Sequence, residues 1–337
     1  MVIAKKIIYA KRFEGEPTPS NFRLETEELP ALGSGEILCE AEYLSVDPYM
    51  RPYMSRFPVN SVMIGGQVAK VIESNNPKYP VGSHVFGYFG WRSHTVVKPS
   101  EGTVENSMNP DEVTRLDDFE GLPYSLGIGY LGMPGSTAYF GFLELCKPKA
   151  GEVVVVTGAA GAVGSLVGQI ARIKGCKVIG FAGSDEKCTW LKEELGFDYA
   201  FNYKTCDVGK SLNEAAPTGV DCYFDNVGGE ISSVIISKMN KYGRISVCGS
   251  ISGYNDTKIR LAPVVQPSFI FNELKMEGFL VHRWKDRFPE AVKAVRDWIK
   301  DGKVKYRETA TKGFENMPQA FMDMLKGKNL GKAVVQA

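Results

Sequence analysis

Histidine is nearly absent from this 337-residue chain: only His84, His94 and His282 occur, far apart. Each stands alone in an apolar, strand-like context, where a packed core or surface imidazole is the ordinary reading. Zn²⁺ favours Cys and His donors in close array, so the scatter argues against a metal site. Cysteine is sparse as well. The seven thiols (Cys39, Cys146, Cys176, Cys188, Cys206, Cys222, Cys248) form an odd, dispersed set with no C-x-x-C pair. That suits reduced thiols in a cytoplasmic protein better than a disulfide framework. An excess of one charge is also missing. The net charge of +1 argues against a nucleic-acid footprint or a polybasic membrane patch. No apolar run approaches the ~18 residues that suggest a membrane span. Met1 to Arg12 alternates apolar and basic residues, as a strand would, with no secretory h-region. Repeats and low-complexity segments are lacking too. Hydrophobic residues at 44% and charged residues at 23% permit a sizeable core, and the length suggests about two domains on a ~150-residue prior.

What the chain does have is patterned glycine. Residues 151–164 read Gly-Glu-Val-Val-Val-Val-Thr-Gly-Ala-Ala-Gly-Ala-Val-Gly. The valine run ending at Thr157 predicts a buried strand, and the glycines predict a tight turn and a helix start. Val163, Leu166, Val167 and Ile170 then recur at helical spacing. Unpaired N–H groups and the positive dipole end at such a helix start favour a pyrophosphate. Gly158 and Gly161 would allow close backbone approach, and Gly164 close helix–strand packing. The spacing is G-x-x-G-x-x-G rather than G-x-G-x-x-G, and a sharp turn in an α/β protein without a nucleotide has the same look. The strand–helix alternation that follows favours dinucleotide binding.

Residues 1–125 have an all-β texture. Short apolar runs (Glu36–Tyr43, Gln67–Glu73, His84–Tyr88, Ser93–Val97) are broken by Gly and Pro turns, the spacing of a small barrel or sandwich. From 126 to about 285, strands Val153–Thr157, Lys177–Ala182, Tyr199–Asn202, Val220–Asp225, Arg244–Cys248 and Met276–Val281 alternate with helices near 162–174, 185–195 and 230–240. This predicts a doubly wound parallel α/β sheet. Phe288, Val292, Val295 and Ile299 mark an amphipathic helix stopped by Gly302. Strands at Val304–Ala310 and Lys332–Val335, around a helix near 318–326, would pair back onto the first domain. The expected organisation is one domain of residues 1–125 with 303–337, and an inserted domain of 126–302.

With both halves read, the chain resembles the medium-chain dehydrogenase/reductase superfamily over its full length, and within it the zinc-free prostaglandin and alkenal reductases. The likeness is carried by V-D-P-Y-M-R (46–51), G-M-P-G-S-T-A-Y-F-G (132–141), G-A-A-G-A-V-G (158–164), G-S-D-E-K (183–187), F-N-Y-K (201–204), D-C-Y-F-D-N-V-G-G-E (221–230), G-F-E-N-M-P (313–318) and K-N-L-G-K (328–332). It implies a GroES-like β-barrel substrate domain and a Rossmann domain that binds NADPH. It further implies a homodimer that reduces the carbon–carbon double bond of α,β-unsaturated ketones and aldehydes, 15-oxoprostaglandins included. Zinc-dependent members use a Cys and a Gly-His-Glu segment for the metal. The corresponding stretches here are Leu44-Ser45-Val46-Asp47-Pro48-Tyr49 and Ile64-Gly65-Gly66-Gln67, with neither thiolate nor imidazole, and the four-cysteine lobe is missing.

NADPH is favoured over NADH because the strand Lys177–Ala182 runs into Gly183 and Ser184, without the acid that holds a ribose 2′-hydroxyl. The resemblance places Lys187 and Tyr203 on the 2′-phosphate, with Asp185 an alternative partner for a ribose hydroxyl. It places Gly161, Ala162, Val163 and Gly164 at the pyrophosphate and Asn226 at the nicotinamide ribose or pyrophosphate. Cys248, Gly249, Ser250, Ile251, Ser252, Gly253 and Tyr254 would line the adenine–nicotinamide crevice. Phe279, Leu280 and Val281 would present backbone groups to the carboxamide, and Asn329 would reach back from the tail. Ordinary turn and core roles are the alternatives, for Asn226, Asn329 and Phe279 above all.

Enone reduction needs a hydride over the β-carbon, a stabilised enolate oxygen and a proton for the α-carbon. The candidate hydroxyls are Tyr254, positioning the cofactor's ribose hydroxyl, and Tyr49, which reads equally well as an aromatic wall. Relatives usually carry a tyrosine where Phe271 stands here. Arg51, Arg56 and Arg92 are candidate partners for a substrate carboxylate. A zinc-free quinone reductase and a non-enzymatic, NADPH-binding crystallin-like protein are the competing readings.

Overall fold

The computed structural model of the chain describes residues 2–100 and 108–337. The chain forms two compact units. One runs to Gly129 and resumes at Glu308–Ala337; the other is Tyr130–Arg307.

The first unit opens with β1 (Ile3–Tyr9), β2 (Phe22–Glu28), β3 (Ile37–Ser45), the one-turn helix α1 (Met50–Tyr53), β4 (Gln67–Ser74), β5 (His84–Gly87), β6 (His94–Val97) and β7 (Thr114–Arg115). β1 and β2 pair antiparallel as a two-stranded sheet, while β3, β4, β5 and β7 follow in that order with β6 on β3. The core beneath them is aromatic and aliphatic. Trp91 stacks on Phe22 at 5.7 Å and meets Phe321 edge-on at 5.8 Å, among Ile7, Leu44, Met50 and Val335.

The second unit alternates helix and strand. It comprises α2 (Met133–Leu143), β8 (Val153–Thr157), α3 (Ala162–Ile173), β9 (Lys177–Ala182), α4 (Asp185–Glu193), β10 (Tyr199–Asn202), α5 (Val208–Ala215), β11 (Val220–Asp225), α6 (Gly229–Ile236), β12 (Met239–Val247), α7 (Gln266–Asn272), β13 (Lys275–Gly278) and α8 (Phe288–Lys300). The six strands are all parallel, in the order β10-β9-β8-β11-β12-β13. Every residue of β8 is buried, as expected of a strand covered on both faces, and this is why it reads as an unbroken valine run. Strand order reverses between β8 and β11. In such sheets the carboxyl ends of the strands at that switch point form the ligand crevice. At the far ends of the same strands, Arg244 of β12 donates to both carboxylate oxygens of Glu152, at 3.0 and 2.6 Å, and to the Cys146 carbonyl at 2.8 Å. The chain then returns to the first unit as β14 (Glu308–Lys312), α9 (Met317–Leu325) and β15 (Lys332–Gln336). β15 is parallel to β14 and antiparallel to β3.

Four of the expected strands, β8 to β11, have the predicted bounds. Elsewhere the structure differs. The helix expected over 230–240 ends at Ile236, and Met239 begins the nine-residue β12. β13 stops at Gly278 rather than Val281. His282 lies in a 3-10 turn, not a strand. Val304 to Arg307 precede β14 without strand pairing. Three helices of the second unit had no expectation. α2 is apolar on nearly all sides and so lacks a polar face to mark it. α5 and α7 are only eight and seven residues long.

Candidate functional site

The site in the second unit starts from the turn after β8. Gly158 has φ +59°, a left-handed conformation that suits glycine. The turn closes through Gly161 N–H on the Gly158 carbonyl at 3.1 Å, and Ala159 N–H bonds the Phe181 carbonyl of β9 at 3.0 Å. A side chain at Gly164 would overlap the Gly158 carbonyl oxygen, so this glycine lets α3 lie against the turn. A Cβ on Gly161 would meet only that same carbonyl, at 3.4 Å, which leaves the space in front of the helix start open. No side chain caps α3. The first N–H groups of a helix have no partner within it. The half-buried Gly161, Ala162 and Val163 therefore present a positive helix end to an open cradle. The starts of α6 and α7 likewise have no side-chain cap, whereas α4 and α5 do. Ser184 caps α4 and Asp207 caps α5.

The turn after β11 is held by Asp225, 2% exposed. Its Oδ1 accepts from Thr157 Oγ1 at 3.1 Å and from Val227 and Gly228 N–H at 2.9 Å each, and its Oδ2 accepts from Ser232 Oγ at 2.7 Å. Asn226 bonds back to β8, from its amide to Thr157 Oγ1 at 3.1 Å and from Nδ2 to the Thr157 carbonyl at 2.7 Å. The loop after β12 is tied to the same turn. Cys248 and Gly249 N–H donate to the Asp225 carbonyl at 2.8 and 3.1 Å, and Ser252 Oγ donates to the Val227 carbonyl at 2.7 Å. Burial, then the Asp225 charge, pushes the Cys248 thiol up to about 12. Ser250 N–H donates to the Tyr254 hydroxyl at 3.4 Å, so Tyr254 folds over the Ser250–Gly253 stretch. The structure thus brings Gly161 to Gly164, Asn226 and residues Cys248 to Tyr254 to the carboxyl ends of three adjacent strands.

Two exposed carboxylates, Asp185 and Glu186, follow the exit of β9. Asp185 Oδ1 accepts from Asn202 Nδ2 at 2.8 Å. A Cβ on Gly183 would stand 3.4 Å from the Tyr203 hydroxyl and 3.5 Å from Lys204 Cε, so both side chains arch over that glycine. Burial first, and then the charge of Lys204, holds the Lys187 ammonium below its ordinary value of 10.5. Two cations and a phenol therefore gather at the exit of β9. Lys204 is the member that the sequence analysis passed over; its signal was the Lys that closes F-N-Y-K.

The remaining candidates are placed as follows. Phe279 is half-buried, edge-on to Trp284 at 5.6 Å, with Leu280 exposed and Val281 in the core. Phe271, on α7, is 80% exposed. Tyr49 and Asn329 belong to the first unit. Tyr49 opens α1, and burial followed by the nearby Asp47 charge raises its hydroxyl well above 10. Asn329 Nδ2 donates to the Gly331 carbonyl at 2.8 Å. Arg51 donates to the Gly15 carbonyl at 2.9 Å and lies over the Phe13 ring, while Arg92 pairs with Glu27. His84 stacks on Tyr124 at 3.8 Å and faces Glu42 at 3.0 Å. Among the described residues, no three His, Cys, Asp or Glu side chains gather as a metal site, and no helix is long and apolar enough to cross a membrane.

Family comparisons agree with this architecture. Residues 5–104 match the family described as the N-terminal domain of oxidoreductase, and 162–297 match the zinc-binding dehydrogenase family. Prostaglandin reductase 1 of Oryctolagus cuniculus is 51% identical over 99% of this chain and 93% of its own length. The NADP(+)-dependent 2-alkenal reductase of Nicotiana tabacum is 39% identical over 98% and 96%. The crystal structure of CurA from Vibrio vulnificus in complex with NADPH superposes with a TM-score of 0.90 at 38% identity, covering 99% of both chains. A Rossmann-type parallel sheet, a separate mixed sheet and identity at this level along the whole length have one consequence: the chain belongs to the medium-chain dehydrogenase/reductase family, with the prostaglandin and alkenal reductases.

Proposed function

We infer that the protein is an NADPH-dependent oxidoreductase that reduces the carbon–carbon double bond of α,β-unsaturated aldehydes and ketones. Oxo-lipids of the 15-oxoprostaglandin type fall within that substrate class. The observation that carries this reading is the β9 exit, where Lys187, Tyr203 and Lys204 cluster and Asn202 donates to Asp185. That is a phosphate-selective end to a dinucleotide crevice, in a chain similar throughout to a prostaglandin reductase and an NADP(+)-dependent 2-alkenal reductase.

NADPH, when bound, supplies the hydride. The chain's own residues bind and orient. The uncapped start of α3, at Gly161 to Gly164, takes the pyrophosphate. Asn226 and the backbone of Cys248 to Gly253 line the wall toward the nicotinamide, with Phe279 to Val281 as further contacts. Tyr254 would hold a ribose hydroxyl of the bound cofactor, and Tyr49 is the first unit's own candidate donor toward substrate. A buried, protonated phenol suits that task, because it donates to an oxygen as charge develops on it. Phe271 has no hydroxyl to add.

Two copies of the chain pair in solution. β13 is an edge strand bonded only to β12, and the same unit exposes Ile259, Leu261, Val264, Ile270 and Phe271. An open edge beside exposed apolar side chains suits a two-fold partner. Light scattering at micromolar concentration should give a dimeric mass; a monomeric mass would contradict this.

Lys187→Ala should raise the NADPH KM about tenfold and leave NADH turnover almost unchanged, since a hydrogen bond to a charged group contributes about 1.5–3 kcal/mol. Lys204→Ala should shift the same ratio in the same direction by less. Equal losses with both cofactors would sink the assignment.

A screen of NADPH oxidation across 2-alkenals, enones, 15-oxoprostaglandins and quinones should find enals and enones ahead of quinones. Tyr254→Phe should lower kcat/KM on a small enone by up to about a hundredfold, the scale of losing one oxyanion donor. No effect of Tyr254→Phe would shift the donor role to Tyr49, and quinones ahead of every enone would overturn the reaction class.

A further inference from the structure

Lys332 and Asp47 form a buried ion pair in the first unit, with side chains 2% and 8% exposed. Lys332 Nζ donates to Asp47 Oδ1 at 2.8 Å and to the Val46 carbonyl at 2.7 Å. The other Asp47 oxygen accepts from Ser45 Oγ. The adjoining backbone is fixed too: Val46 N–H donates to the Ala333 carbonyl at 3.4 Å, and Ser45 N–H to the Gly66 carbonyl at 2.9 Å. A buried pair often adds no stability over apolar residues of the same volume. Its use is therefore to be sought in what it holds in place.

The segment it holds ends at Tyr49. Met50 N–H donates to the Asp47 carbonyl at 3.2 Å and Tyr53 N–H to the Tyr49 carbonyl at 3.1 Å, so α1 is built directly on the anchored residues. The Tyr49 ring meets Tyr53 edge-on at 5.5 Å. Behind burial, the Asp47 charge works against ionisation of both Tyr49 and Tyr88, which keeps each phenol a donor. Asn329, three positions before Lys332, has its own anchors. Nδ2 bonds Gly331, and Leu330 exchanges two 2.9 Å bonds with Thr309 Oγ1. The ion pair thus controls the Val46–Tyr49 segment and leaves the Asn329 turn independent.

We propose that Lys332 is a positioning residue for the substrate side: through Asp47 and the Val46 carbonyl it sets where the Tyr49 hydroxyl stands, with no bearing on cofactor affinity. The proposal rests on the function inferred above only in so far as Tyr49 faces the substrate.

The test compares Lys332→Met with the double variant Asp47→Asn/Lys332→Met in the full-length protein. The single variant strands a buried carboxylate and should lower Tm; the double variant should recover most of that loss. In the double variant, kcat/KM for 2-nonenal should still be down by about ten- to a hundredfold, as expected for a displaced reacting group. The NADPH Kd, read from bound-cofactor fluorescence, should stay within about twofold of wild type, because only substrate-side binding is touched. In ¹³Cζ-tyrosine NMR spectra, with Tyr49 assigned by Tyr49→Phe, the Tyr49 signal should move and the Tyr254 signal should not. Recovery of the rate together with Tm, a parallel fall in NADPH affinity, or an unmoved Tyr49 signal would each overturn the proposal. A moved Tyr49 signal in a protein whose wild type binds NADPH but reduces no enal would support the positioning role and reject the functional reading instead.

Discussion

One buried carboxylate organises the crevice. Asp225 accepts four hydrogen bonds, from Thr157, Val227, Gly228 and Ser232, and its own carbonyl receives the N–H groups of Cys248 and Gly249. The ends of β8, β11 and β12 are thereby locked to one another. A carboxylate this deep is tolerable only because its hydrogen-bonding capacity is filled. The same bonds use the free amides of the turn before α6, whereas no side chain caps the start of α3.

Much of this was legible in the sequence because burial on both faces leaves little freedom. β8 could only be a continuous apolar run, and Gly158 and Gly164 are dictated by a left-handed turn and a helix–turn contact. α8 announced itself through Phe288, Val292, Val295 and Ile299. The family motifs extended that reading to residues whose spacing alone says nothing, such as Asn226 and Tyr254.

What stayed hidden depends on side chains that meet across the chain. Nothing local in Asn202 foretells its bond to Asp185. Lys204 shows its importance only once it stands over Gly183 beside Tyr203. The Asp47–Lys332 pair joins residues 285 positions apart, and no periodicity encodes it. α2 was missed for the opposite reason: it is buried nearly all round and shows no polar face. Local pattern therefore located the cradle, while the selectivity of its edges came from tertiary contacts.

The proposed chemistry is hydride delivery to the β-carbon of an enone rather than to its carbonyl carbon or to a quinone. The most direct measurement uses NADPH deuterated at C4 of the nicotinamide, on each face in turn, with an α,β-unsaturated ketone as acceptor. Mass and NMR analysis of the product should find one deuterium at the β-carbon, a solvent proton at the α-carbon and an intact carbonyl. Deuterium at the carbonyl carbon, giving an allylic alcohol, or no transfer from either face, would contradict it.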